Sequence, residues 1–254
     1  MKEAKTSPII TATNLSFGYG DFMLMKDISF QVNEHDIFII MGGSGCGKST
    51  LLHILTGLKA AAKGKIIVDE TPLNTDRTGK IPEKLMHSCG ILYQGGALFS
   101  SMTLFENIAM PLQQYTDYSD KLISELVSLK LALVGLAGFE EFYPSEISGG
   151  MCKRAGLARA LALDPKIVYC DEPSAGLDPI SSRNLDDLFL ELNSSLGTTF
   201  VIVTHELPSI FTIGSNSIYL DGESKSILAR GNPKELLKNP PSEKVRQFLT
   251  RGEK

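Results

Sequence analysis

The chain has 254 residues, 43% of them apolar and 21% charged, and its 25 basic and 29 acidic side chains leave a formal charge of −4. That is enough chain for one or two domains with a sizeable core, and it is too apolar for intrinsic disorder. The slight acidity argues against a nucleic-acid backbone binder, which needs a basic excess to neutralise phosphates, and leaves a nucleotide-sized ligand open.

From the N-terminus, Met1 to Ile10 holds no apolar core of signal-peptide length. The longest apolar run, Leu131 to Phe139, has nine residues with two glycines in it, so no membrane crossing is expected. Residues 9–41 read as short strands with turns at Gly18-Tyr19-Gly20 and Asn33-Glu34-His35-Asp36, ending in the buried-strand run Ile37-Phe38-Ile39-Ile40-Met41. A glycine-rich loop follows, then an apolar helix from Lys48 to about Leu58. Between about Phe99 and Ala162 the cues turn helical: Thr103 and Glu106 have capping-box spacing, and Leu122, Leu126, Leu129 and Leu133 fall on one face. Strand-like runs return at Ile167 to Cys170, Thr198 to Thr204 and Ser217 to Leu220, with a helix between Asp178-Pro179 and Gly197. Such alternation implies a parallel sheet covered by helices. Asn232-Pro233 and Ser242 start short C-terminal helices. Cys46, Cys89, Cys152 and Cys170 form no C-x-x-C pair that could hold zinc or a redox disulfide, which fits a reducing compartment.

The loop Gly42-Gly43-Ser44-Gly45-Cys46-Gly47-Lys48-Ser49, followed by Thr50, matches G-x-x-x-x-G-K-[ST] between a buried strand and a helix. Its glycines let successive backbone N–H groups turn inward as an anion nest, and the helix dipole adds positive potential. Lys48 is expected to reach the β and γ phosphates of a nucleoside triphosphate, and the Ser49 hydroxyl to ligate Mg²⁺. The strand Ile167-Val168-Tyr169-Cys170 ends in Asp171-Glu172, where a parallel sheet presents its ligand-binding residues. Asp171 is read as holding the metal through water, and Glu172 as polarising the attacking water. With a magnesium-bound triphosphate, positioning and charge stabilisation carry most of the catalysis.

His205 ends another apolar strand and is placed to bond to the γ-phosphate or the water, whereas His35, His53 and His87 have no such position. Gln94 ends Ile91-Leu92-Tyr93, where an amide can touch both metal and water. Ser148-Gly149-Gly150-Met151 opens an alanine-rich helix and makes a second anion site. One nucleotide per chain then meets two such sites, which implies a head-to-tail dimer with a second copy whose closure depends on the triphosphate. On that reading Cys46 and Cys152 both line the nucleotide.

In this order, the phosphate loop, Gln94, Ser148-Gly149-Gly150, Asp171-Glu172, Ser174-Ala175-Gly176-Leu177-Asp178 and His205 resemble the nucleotide-binding subunit of ABC transporters over nearly the whole chain. The resemblance implies an α/β P-loop NTPase (RecA-like) core at 1–98 and 163–231 with an N-terminal antiparallel β subdomain. It also implies an inserted α-helical subdomain at 99–162 and short C-terminal helices at 232–254. ATP and Mg²⁺ are the implied cofactors, with Tyr19 stacked on adenine and Asp178 in a loop that crosses the dimer interface. A groove beside Gln94 would receive a coupling helix from an integral-membrane permease, which places the chain peripherally on the cytoplasmic face of the inner membrane.

Within that family, the segments from Tyr93 to Phe99, Thr103 to Asn107, Gly149 to Arg154, Asp178 to Ile180 and Val245 to Leu249 resemble the ATPase of Mla/Mce-type phospholipid transporters. A Mce-domain lipid-binding subunit is then an implied partner. Met151 stands where most ABC ATPases have glutamine, a departure that fits this branch. Only five residues follow Leu249, so a longer dimer-bracing extension is not expected. Other transporter subfamilies, for lipoprotein release or small-solute import, stay open. A soluble ABC protein with tandem halves or a long coiled coil does not fit this length and lack of heptads.

Overall fold

Strands β1 (Pro8–Tyr19) and β2 (Phe22–Asn33) form a long antiparallel hairpin that turns at Gly20-Asp21, and β3 (Ile37–Gly42) follows as a strand buried at every position. The computed structural model describes residues 8–73 and 81–252; the first seven, part of the segment read as lacking a signal-peptide core, lie outside them. After β3 come α1 (Lys48–Leu55), β4 (Lys63–Val68), β5 (Thr71–Leu73), α2 (Glu83–Ser88) and β6 (Cys89–Leu92). A helical stretch then contains α3 (Leu104–Tyr115), α4 (Asp120–Leu133), a 3-10 turn at Pro144–Glu146 and α5 (Gly149–Ala160). The chain returns to the sheet with β7 (Ile167–Asp171), α6 (Pro179–Leu196), β8 (Thr199–Val203), α7 (Leu207–Ile213), β9 (Asn216–Asp221) and β10 (Ser226–Arg230), and closes with α8 (Pro233–Lys238) and α9 (Glu243–Leu249). Among the described residues no helix is long and apolar enough to cross a membrane.

Two sheets organise these elements: an antiparallel one in the order β2-β1-β4-β5 and a larger one in the order β10-β9-β3-β8-β7-β6. In the larger sheet β9, β3, β8, β7 and β6 pair in parallel, and only the edge strand β10 runs antiparallel. A parallel strand covered on both faces must be apolar throughout, and β3 shows how the alternation divides the core. Its Phe38 and Ile40 pack with β1, β2 and α1, while Ile37, Ile39 and Met41 pack with the helices on the opposite face. This is the expected α/β cassette with an antiparallel subdomain.

The sheet is mixed rather than purely parallel because the edge strand β10 pairs antiparallel with β9, and neither β10 nor β4 and β5 stands out in the sequence. Strand β4 reads Lys-Gly-Lys-Ile-Ile-Val and buries only Ile66 and Val68, too little apolar pattern to stand out from a loop. The helix boundaries were more legible. Thr103 and Glu106 make both bonds of a capping box, Asp178 caps α6, and Gly197 ends it in the left-handed region. The expected apolar face of α4 is corrected by one position. Ile123, Val127 and Leu131 are buried, whereas Leu122 and Leu129 are exposed, so the leucine spacing tracked the boundary of the buried stripe instead of its centre.

Helices α6 and α7 are joined by a buried bond from the Ser209 hydroxyl to the Asp186 carboxylate at 2.8 Å. Burial pushes the Asp186 carboxyl up from 3.8 to about 6, with Ser209 opposing and Asp187 adding to the rise. Since the folded value exceeds the unfolded one, the stability this group gives is fully present below pH 3.8 and is lost as pH rises through about 6. Asp186→Asn is therefore expected to raise stability at pH 8 by roughly 1–3 kcal/mol, with the gain shrinking toward zero near pH 4. Thermal melts across that range check this, and a gain independent of pH would contradict it.

Candidate nucleotide site

Parallel pairing sets Leu92 beside Cys170, Asp171 beside Val203, and Ile40 beside Val203, so four neighbouring strands end at one edge of the sheet. That edge carries the loop after β3, His205 after β8, Asp171 and Glu172 at the end of β7, and Gln94 after β6. Ligands of open parallel sheets bind outside these carboxyl ends.

The loop can turn because two of its glycines take backbone angles closed to other residues. Gly42 has φ +150°, and a Cβ there would lie 2.4 Å from the Leu220 carbonyl oxygen. Gly47 has φ +104° and precedes α1 without any side-chain cap, which leaves the first N–H groups of α1 free to bind an anion. The Lys48 ammonium donates to the carbonyls of Gly42 and Gly43, both at 3.0 Å, and so lies folded over the loop it would share with a triphosphate. The Ser49 hydroxyl donates to Asp171 Oδ1 at 3.1 Å. These hard oxygen donors, side by side, suit Mg²⁺, which takes few protein ligands and keeps phosphates and waters in its remaining positions.

Glu172 follows directly in the left-handed region, φ +46°. Its Oε1 meets His205 Nδ1 at 2.8 Å, and its Oε2 is buried with no hydrogen-bond partner among the described residues. Tyr19 is 59% exposed, its hydroxyl shares a hydrogen bond with Thr50 Oγ1 at 3.1 Å, and the Lys59 ammonium sits 3.1 Å from the ring centroid. The Thr50 hydrogen bond and Lys59 draw the phenol below its ordinary pKa against a smaller effect of burial. Gln94 is exposed, and among the described residues its amide is not hydrogen-bonded to Ser49, Asp171 or Glu172.

The second anion motif lies apart from this group within the chain. Ser148 caps α5 by accepting from Met151 N at 3.2 Å, and a Cβ at Gly149 would meet nothing within 4 Å. Gly150 faces Ser181 and Leu177 instead of the phosphate loop. Asp178 accepts from the N–H groups of Ile180 and Ser181, both at 3.0 Å, and its bonds with Ser181 hold it below the usual carboxylate range.

The expectation that both cysteines line the nucleotide is corrected for the Cys46 side chain. Cys46 is 4% exposed, with its sulfur turned beneath the loop against Gly42, and burial pushes its thiol up. Cys46 can present only its backbone to a ligand. The Cys152 thiol donates to the Pro144 carbonyl oxygen at 3.3 Å. Sequence reasoning also passed over Lys59, which reaches Tyr19 only through the fold, and Lys153, whose buried ammonium donates to the Ala175 carbonyl oxygen.

The fold and this row of strand-end residues define an ABC ATPase. A profile of the ABC transporter family matches residues 25–175, and the chain belongs to that family. The probable ribonucleotide transport ATP-binding protein mkl of Mycobacterium tuberculosis is 39% identical over 240 residues, covering 94% of this chain; the chain spans 66% of that relative's length. The intermembrane phospholipid transport system ATP-binding protein MlaF of Escherichia coli K12 is 38% identical over 247 residues, or 97% of this chain and 90% of MlaF. Among solved structures, cbiO1 of Clostridium perfringens, part of the ABC transporter complex cbiONQ, superposes with a TM-score of 0.82 at 28% identity over 96% of each chain. The dimeric post-hydrolysis state of the ATP-binding cassette MJ0796, bound to ADP and Pi, gives 0.78 at 26% identity, over 88% of this chain and 98% of that one.

Lys48→Ala is expected to weaken ATP binding roughly 10- to 100-fold, the loss that goes with one charge-assisted hydrogen bond. Equilibrium binding of a fluorescent ATP analogue measures it, and unchanged affinity would contradict the loop assignment.

Proposed function

We propose that the chain is the ATP-hydrolysing subunit of an ABC transporter that moves phospholipid at the inner membrane, working as a head-to-tail dimer with a second copy. The observation that carries the hydrolytic part is the pairing, at the edge where β3, β8 and β7 end, of Ser49 with Asp171 and of Glu172 with His205. In this reading the backbone N–H groups from Gly42 to Ser49 cradle the β and γ phosphates. Lys48 exchanges its two carbonyl partners for phosphate oxygens, and Tyr19 offers adenine the ring face opposite Lys59. Ser49, Asp171 and Gln94 would hold Mg²⁺, which when bound neutralises charge on the triphosphate. Glu172 orients the attacking water and accepts its proton, while His205 holds Oε1 and faces the γ-phosphate. Ser148, Gly149 and Gly150 of the second copy cover the triphosphate from the other side, with Asp178 at the interface between copies.

The transported lipid and the partners rest on two supports. The chain spans 90% of MlaF but 66% of mkl, so the phospholipid-transport relative accounts for nearly its own full length. The motifs Tyr93-Gln94-Gly95-Gly96-Ala97-Leu98-Phe99 and Gly149-Gly150-Met151-Cys152-Lys153-Arg154 point to the same branch, and with it to a Mce-domain lipid-binding subunit. A permease helix has a place to dock beside Gln94. There a cavity of about 560 Å³ is lined by Met86, Tyr93, Phe99, Met110 and Tyr115. The apolar stretch after Gln94 divides in a telling way: Leu104 is fully buried, whereas Phe99 is 50% exposed at the cavity wall. Buried Asn107 fixes the loop by accepting from Phe99 N at 2.8 Å and donating to the carbonyls of Phe99 and Met102.

Glu172→Gln is expected to keep ATP binding but slow hydrolysis roughly 10²- to 10⁴-fold in the assembled transporter. Turnover within about threefold of wild type would remove Glu172 from that role. Phe99→Glu is expected to abolish co-purification with the permease while the free subunit still folds and binds ATP. Unfolding of the free subunit would return Phe99 to the core and move the docking site elsewhere.

A further inference from the structure

The segment Glu172–Ala175 carries two buried side-chain atoms without partners, Glu172 Oε2 and Ser174 Oγ. Buried polar atoms are normally satisfied, so this segment is held in an arrangement that its own hydrogen bonding does not favour. Its backbone ties are Glu172 N to Val203 O at 2.9 Å, Ala175 N to Glu172 O at 3.1 Å and Leu177 N to Ser174 O at 3.1 Å. Glu172 Oε1 meets His205 Nδ1 on the exposed side and keeps a second lone pair for a water, while Oε2 is buried, so the aim of this carboxylate depends on how the segment is held.

One side chain from another element grips the segment. Lys153, on the second turn of α5, is 7% exposed and donates to the Ala175 carbonyl oxygen. Burial pushes its ammonium down in pKa, and the nearby Glu172 carboxylate opposes that effect. Burying an ammonium is costly unless charge and hydrogen bonds compensate, so this lysine is tied to the position of both partners. The same helix opens with Ser148, Gly149 and Gly150, one turn before Lys153. A displacement at that N-terminus is carried along a rigid helix to Lys153, and from there to the backbone next to Glu172.

We infer that Lys153 is a positioning residue which couples capture of a triphosphate by the Ser148-Gly149-Gly150 end of α5 to the placement of Glu172 in the same chain. The inference rests on the head-to-tail reading above. When α5 closes on the second copy's nucleotide, Lys153 draws the Ala175 carbonyl with it and aims the Glu172 carboxylate at the water at its own nucleotide. Two sites on opposite sides of one chain are thereby linked through a single ammonium, and each chain of the pair becomes competent when the other's ATP is engaged.

The test uses the full chain in its transporter complex, with Mg-ATP turnover fitted for kcat, KM and Hill coefficient in Lys153→Met and Lys153→Arg. Lys153→Met should lower kcat roughly 10- to 100-fold with KM within about threefold, and should bring the Hill coefficient toward one. Lys153→Arg should restore kcat to within roughly fivefold of wild type, since a longer cation can still reach the carbonyl. A Lys153→Met kcat within about twofold of wild type would overturn the inference. So would an unchanged Hill coefficient, or an equal loss in both variants that reads as damage to packing. A wild-type complex whose hydrolysis is insensitive to Glu172→Gln would instead overturn the underlying catalytic reading, and this inference with it. Should Lys153→Met fail to fold, Lys153→Leu, which also lacks a donor for the Ala175 carbonyl, should show the same loss of kcat with little change in KM.

Discussion

Backbone hydrogen bonding locks β3, β8, β7 and β6 into parallel register, and the rest of the molecule follows from that alignment. Because the strands run the same way, residues that follow their last buried positions collect at one edge, however far apart they lie in the chain. Ser49 and Asp171 are 122 residues apart in sequence and share a hydrogen bond. Glu172 and His205 are 33 apart and do the same. A parallel sheet needs cover on both faces, which the antiparallel hairpin β1–β2 supplies on one side and the helices on the other. The edge that carries the candidate site is therefore the part of the sheet that neither layer closes.

Several polar groups of the site have partners within the chain: Lys48 donates to the carbonyls of its own loop, and Glu172 Oε1 meets His205 Nδ1. In the proposed dimer, phosphate oxygens would replace the carbonyl partners of Lys48. Such exchange would cost little, because polar groups swap one hydrogen bond for another.

Much of this was legible in sequence because its chemistry is local. The phosphate loop needs glycines at left-handed angles and a lysine at fixed spacing, and Gly42 and Gly47 take those angles. Strand ends were visible because β3, β7 and β8 are buried on both faces and read as unbroken apolar runs. Helix starts at Thr103, Ser148 and Asp178 were visible because a cap is a short-range bond. What stayed hidden depended on packing. Strand β4 buries two side chains, and Cys46 is enclosed between Gly42 of its own loop and Gly222, a neighbour that only the fold brings close. The grip of Lys153 on Ala175 joins residues 22 apart across a helix and a loop, with no periodic signal to announce it.

The central claim is that one strand-edge site is completed by the α5 end of a second copy, and subunit mixing tests it most directly. One variant carries Lys48→Ala, which spoils the phosphate loop; the other carries Ser148→Arg, which blocks the α5 motif. Each is expected to retain little Mg-ATP alone in the assembled transporter. In a head-to-tail pair, one of the two sites in the mixed complex joins an intact loop to an intact α5 end. Mg-ATP trapped by the mixture in a Glu172→Gln background should then clearly exceed the sum of the two separate complexes. Trapping no greater than that sum would contradict the account.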